Sequence, residues 1–107
     1  MSMASVDSER PWRTGREANQ NSLELVLMGR TYVLPWTQFL YAEGGEDEVR
    51  LVFATHDVLV RGAGLRVLLA DVAAHRLVGL NEPLRAERFT AKTGICIREL
   101  VVTKAEG

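Results

Sequence analysis

The candidate reactive groups in this chain of 107 residues are Cys96, His56, His75, Asp57 and Asp71, side chains of types that covalent and acid–base chemistry uses. A cysteine nucleophile needs a base within hydrogen-bond reach and a third group that orients the base. His56 or His75 would be the base, and Asp57 or Asp71 the orienting carboxylate. No local spacing forces such contacts. Cys96 stands between Ile95 and Ile97, the setting of a small buried hydrophobe. His56 falls in a turn, and His75 closes a helical pattern one turn after Asp71, where the two side chains can meet. One cysteine and two histidines on separate segments make no zinc ligand set. Gly62 and Gly64 precede a helical pattern, but they lack the third glycine of the dinucleotide fingerprint and the lysine of a phosphate loop. The sequence therefore predicts a protein that is not an enzyme, with no cofactor and no metal.

Charge points instead to surfaces. From Leu23 to Val60 the acids Glu24, Glu43, Glu46, Asp47, Glu48 and Asp57 outnumber Arg30 and Arg50. From Arg61 to Arg98 the bases Arg61, Arg66, Arg76, Arg85, Arg88, Lys92 and Arg98 outnumber Asp71, Glu82 and Glu87. Such opposition is either complementarity within one fold, the simpler reading, or matched patches that bring subunits together. The acidic run Glu43, Glu46, Asp47 and Glu48 lacks the alternating oxygen ligands of a calcium loop and reads as a hairpin tip. Trp12, between Pro11 and Arg13, either caps a groove on its own domain or anchors a partner, because an aromatic beside an arginine has hot-spot composition. The candidate interaction surface is therefore Arg61, Arg66, Arg76, Arg85, Arg88, Glu43, Glu46, Asp47, Glu48 and Trp12.

The elements that must position these residues centre on Val49 to Arg76. Val49, Leu51 and Phe53 alternate with Arg50, Val52 and Ala54, and after a turn at Thr55-His56-Asp57 the period of two resumes with Val58 and Val60. Both faces of this hairpin are largely apolar, which predicts cover on two sides. Gly62-Ala63-Gly64 turns the chain into one helix over about 64–76, with Leu65, Leu68, Leu69 and Val72 at helical spacing and His75 and Arg76 at its end. Upstream, Leu23 to Leu34 reads as a hairpin turning at Gly29-Arg30. Pro35 ends it, and a strand through Phe39 and Tyr41 leads to Gly44-Gly45. Downstream come a short strand at Leu77–Leu80, a charged connection at Leu84–Thr93 and a final strand at Ile95–Thr103. That last strand mixes charge into both faces, as an edge strand does.

Length allows one domain. Residues 1–22 are polar and predict a flexible tail, 23–104 the globular domain and 105–107 its end. The net charge of −1 gives no overall pull onto nucleic acid. No apolar run approaches the ~20 residues that span a bilayer, and the N-terminus lacks a secretory pattern. These features predict a cytoplasmic protein that does not bind membranes, with a free, buried thiol.

Thr31 to Val72, above all FLYAEGGEDEVRLVF followed by HDVLVRGAGLRVLL, resembles the first half of the LytTR-type DNA-binding domain of bacterial response regulators. The resemblance implies a nucleic-acid-binding regulatory domain working through the arginines after Gly62. Where that family carries a basic R-x-H-R-S run, this chain reads Arg76-Leu77-Val78-Gly79-Leu80-Asn81-Glu82.

Taken together the residues predict an α+β fold, a mostly antiparallel twisted sheet of about five to seven short strands with one covering helix. A small domain that cannot cover both sheet faces alone completes burial by dimerising. The function expected is thus a non-catalytic binding or assembly module that forms a homo-oligomer, a dimer first, and presents a surface to another protein. The alternative is the nucleic-acid binder, and behind it a cysteine-dependent enzyme.

Overall fold

The computed structural model describes residues 10–15, 21–84 and 94–105. Its elements, in chain order, are β1 (Arg13–Thr14), β2 (Ser22–Val26), β3 (Thr31–Pro35), β4 (Phe39–Gly44), β5 (Glu48–Phe53), β6 (His56–Ala63), α1 (Arg66–Ala73), β7 (Leu77–Asn81) and β8 (Cys96–Lys104). The class is α+β and mostly antiparallel, as the alternation requires. The strands divide into two four-stranded sheets, ordered β1-β7-β2-β3 and β4-β5-β6-β8. A single 3₁₀ turn at Trp36–Gln38 carries the chain from the first sheet to the second. Helix α1 carries it back to β7, which lies between β1 and β2 and runs parallel to β2. Strand β8 then rejoins the second sheet beside β6.

The core lies between the sheets. Leu23, Leu25 and Leu34 from the first meet Val49, Leu51, Phe53, Val58 and Val60 from the second, and Leu65 and Leu68 close the space from the helix side. Phe39 and Phe53 are cross-strand partners, with rings 5.3 Å apart and edge to face, and Trp36 packs against both, edge to face with Phe39 and tilted to Phe53. Such pairs stabilise a sheet beyond their area alone.

Three local differences from the sequence pattern have physical causes. The central hairpin turns at Ala54-Thr55, one position earlier than expected, so His56 and Asp57 already belong to β6. Neither turn residue has strong turn propensity, but outside bonds hold them: the Ala54 N–H donates to the Gln38 carbonyl and the Ala105 N–H to the Thr55 carbonyl. Helix α1 is shorter than 64–76 at both ends. Gly64 has φ +70° and Leu65 occupies the cap position, so helical geometry starts at Arg66. At the other end His75 takes φ 60°, its N–H bonds the Val72 carbonyl, and the Arg76 N–H bonds the Asp71 carbonyl. That pair of bonds is a Schellman stop, with histidine where glycine usually stands.

The largest difference concerns the N-terminal segment. Residues 10–15 fall in the expected tail, yet Arg13–Thr14 pairs with β7 and closes the edge of the first sheet. Trp12 is 5% exposed and belongs to the core cluster. The partner-anchor reading of Trp12 is therefore corrected: its indole is buried in its own domain, in the groove-capping role.

Candidate interaction surface

Two sites emerge from this architecture, one on the solvent face of the second sheet and one at the buried foot of α1. On the second sheet, register fixes which residues share a face. Tyr41 lies opposite Val52, Val52 opposite Asp57 and Asp57 opposite Thr103. The next row reads Glu43, Arg50, Leu59 and Val101, and the one after it Glu48, Arg61 and Glu99. These rows face away from the core residues Leu51, Val58, Val49 and Val60, which occupy the alternate positions. Tyr41, Val52, Leu59 and Val101 thus form a diagonal apolar stripe from β4 to β8. Tyr41 is 50% exposed, and the neighbouring bulge residue Leu40 is exposed too. The other three are half-buried.

Charges frame the stripe. Arg50 donates to Asp57 across the diagonal of the square that also holds Val52 and Leu59, at 2.8 Å. The hydrogen bond and charge of Asp57 raise the Arg50 pKa above its already high value, outweighing desolvation. A cation whose folded pKa is raised contributes its stability below the unfolded value and loses it only above the folded one. Both lie at the alkaline extreme, so the guanidinium stays charged wherever the protein is folded. Arg61 pairs with Glu48 at 3.7 Å and with Glu99 at 3.4 Å.

The acidic loop folds back on the start of the helix. The Gly62 N–H donates to the Asp47 carbonyl, and the Leu65 N–H donates to the Glu46 carbonyl. Arg66 in the first helical turn lies 3.3 Å from Glu46, which offsets a cation at the positive end of the helix dipole. Glu43, Asp47, Glu48 and Arg50 border a shallow depression of about 440 Å³ with Gly44 and Gly45. The opposed charges of the two halves therefore meet inside one fold, at Arg61 with Glu48 and Arg66 with Glu46. Arg66 opens the helix and Arg76 lies past its C-terminal stop, so the two flank an element roughly 11 Å long at ~1.5 Å per residue. Arg85 and Arg88 lie outside the described residues.

The second site is built on Asp71, which is 3% exposed. Trp12 Nε1 donates to its Oδ2 at 2.7 Å, and Arg10 Nη1 donates to its Oδ1 at 3.1 Å. One carboxylate thus binds two consecutive alternate residues of the N-terminal segment. Arg13, on the other side of that segment, crosses Gly79 and reaches Glu24 Oε1 at 2.6 Å and Asn81 Oδ1 at 2.9 Å. Any Cβ at position 79 would collide with that guanidinium. The Gly15 N–H then donates to the Arg76 carbonyl. Asp71 does not take His75 as its partner, because the Schellman stop turns His75 out past the helix end.

Cys96 and His56 are not brought together. Cys96 is buried opposite Ala63, and His56 is opposite Lys104 at the other end of the same ladder. Seven residues at ~3.3 Å each separate them by roughly 23 Å. Among the described residues, no group of three or more His, Cys, Asp or Glu side chains could hold a metal ion, and no helix is long and apolar enough to cross a membrane. Comparison with known proteins returns no match among family models, curated proteins or solved structures.

The Asp71 site had one signal in the sequence. Asp71 follows Leu68 by three positions, on the stripe that Leu65 and Leu68 place in the core. A carboxylate there must have buried donors. Arg10, Arg13 and Gly79 carried no comparable sign.

Proposed function

We propose that this chain is a non-catalytic binding module that self-associates through the solvent face of its second sheet. One observation carries the reading: the apolar stripe Tyr41, Val52, Leu59 and Val101 lies on a sheet face that α1 does not cover, since the helix packs on the core side against β4, β5 and β7. Charged pairs rim the stripe, the arrangement of an interface with an apolar centre and a polar edge. A two-fold contact there would place Arg61, Glu48 and Glu99 at the rim, where complementary charges set register more than affinity. The nucleic-acid alternative is weaker because Arg61 and Arg66 each lie against glutamates. The catalytic alternative is weaker because Cys96 and His56 occupy opposite ends of one ladder.

The test is light scattering coupled to size exclusion on the wild type and on Leu59→Asp. The wild type is expected to run as a dimer and the variant as a monomer, with the sheet signal in circular dichroism retained. A wild-type monomer at every concentration tried would overturn the proposal.

A further inference from the structure

The Asp71 site has the chemistry of a peptide-recognition slot. It reads an extended segment in three ways at once. The β7 edge pairs with the backbone of Arg13–Thr14. A core pocket takes the indole of Trp12, with Asp71 Oδ2 accepting its N–H. Asp71 Oδ1 takes the guanidinium of Arg10, while Glu24 and Asn81 take that of Arg13 across the bare backbone of Gly79. Main-chain pairing with alternate side-chain pockets is the logic of strand addition to a sheet edge. Both donors to Asp71 come from this segment, so an occupant that covers the carboxylate must bring a donor to each oxygen.

We infer that residues 10–14 are a detachable occupant of this slot, and that the same segment of a second copy fits it equally. The intramolecular segment has the advantage at ordinary concentrations, because a short connection gives it an effective concentration of about millimolar. The ladder to be broken is short: β1 is two residues long and its register is interrupted by a bulge.

The experiment titrates a labelled synthetic peptide spanning Ser8 to Gly15 into the full chain carrying Trp12→Ala, whose own segment lacks its anchor. Saturable binding is expected. It should weaken at least tenfold when the peptide's tryptophan is replaced by alanine, or when Asp71→Ala is added to the protein. A folded Trp12→Ala chain that ignores the peptide, or that binds the tryptophan-free peptide equally, overturns the inference. Should Trp12→Ala not fold, the Arg10→Ala/Arg13→Ala double variant keeps the indole and replaces it. Excess peptide must then raise that variant's melting temperature, and an unchanged temperature counts against the slot. Wild-type light scattering separates the two proposals. A monomeric wild type together with a Trp12→Ala chain that binds the peptide retains the slot and removes self-association through the sheet, whereas a dimeric wild type together with a Trp12→Ala chain that does not bind it does the reverse.

Discussion

At the scale of single residues, the hydrogen bond from Trp12 to Asp71 is buried, whereas those from Arg13 to Glu24 and from Arg50 to Asp57 are exposed. Trp12→Ala removes a core indole and strips one donor from a buried carboxylate; it should cost about 3–5 kcal/mol. Trp12→Phe keeps most of the packing and orphans only the Asp71 oxygen, so about 1–3 kcal/mol is expected. Denaturant unfolding of the two variants separates packing from hydrogen bonding: equal losses would show that the indole's packing adds little to the bond, and a Trp12→Phe variant as stable as wild type that the bond to Asp71 contributes little. His75 carries the opposite sign. Its φ of 60° places a side chain in the left-handed region at a helix stop, where glycine is free of the Cβ clash. His75→Gly should therefore stabilise the chain by about 0.5–1 kcal/mol. Gly62 is constrained differently: a Cβ there would run into the Cys96 carbonyl at the bulge beside Arg61. Gly62→Ala should cost about 2 kcal/mol or more, read as a lower melting temperature, and a melt unchanged from wild type would mean that β8 yields freely.

At the scale of elements, neighbouring positions on β6 should respond in opposite ways. Val60 is fully buried between the sheets, while Leu59 points to the solvent face. Val60→Asp buries an unpaired charge and should unfold the protein. Leu59→Asp should leave the sheet intact. Far-ultraviolet circular dichroism of both variants checks this, and equal damage would mean that the register is misplaced. The period of two in β5 and β6, the 3.6 spacing of Leu65, Leu68 and Val72, and the glycine corner at Gly62 to Gly64 were all readable from local sequence. Strand β1 was not. Its two residues have no periodicity of their own, and the contact that fixes it joins Trp12 to Asp71, 59 positions along the chain. The division into two sheets was hidden for a related reason. Alternation marks which residues face a core, but only the return of α1 to β7 decides which strands share a sheet.

At the scale of the whole molecule, the chain passes between the sheets three times, so neither sheet can form without segments from both halves. Pairings such as β1 with β7 and β2 with β7 are non-local, which predicts folding in milliseconds to seconds rather than microseconds. A single-exponential refolding phase faster than ~100 μs would contradict that expectation. Part of the charge split that the sequence displays is met within the fold, where Arg61 lies against Glu48 and Glu99 and Arg66 against Glu46. What remains unspent is the apolar diagonal on the second sheet. Size exclusion with light scattering on the wild-type full chain, at low and moderate salt, reads whether that face joins two copies. A discrete dimer that persists at moderate salt is expected, because apolar burial supplies its affinity. A monomer under both conditions would contradict it.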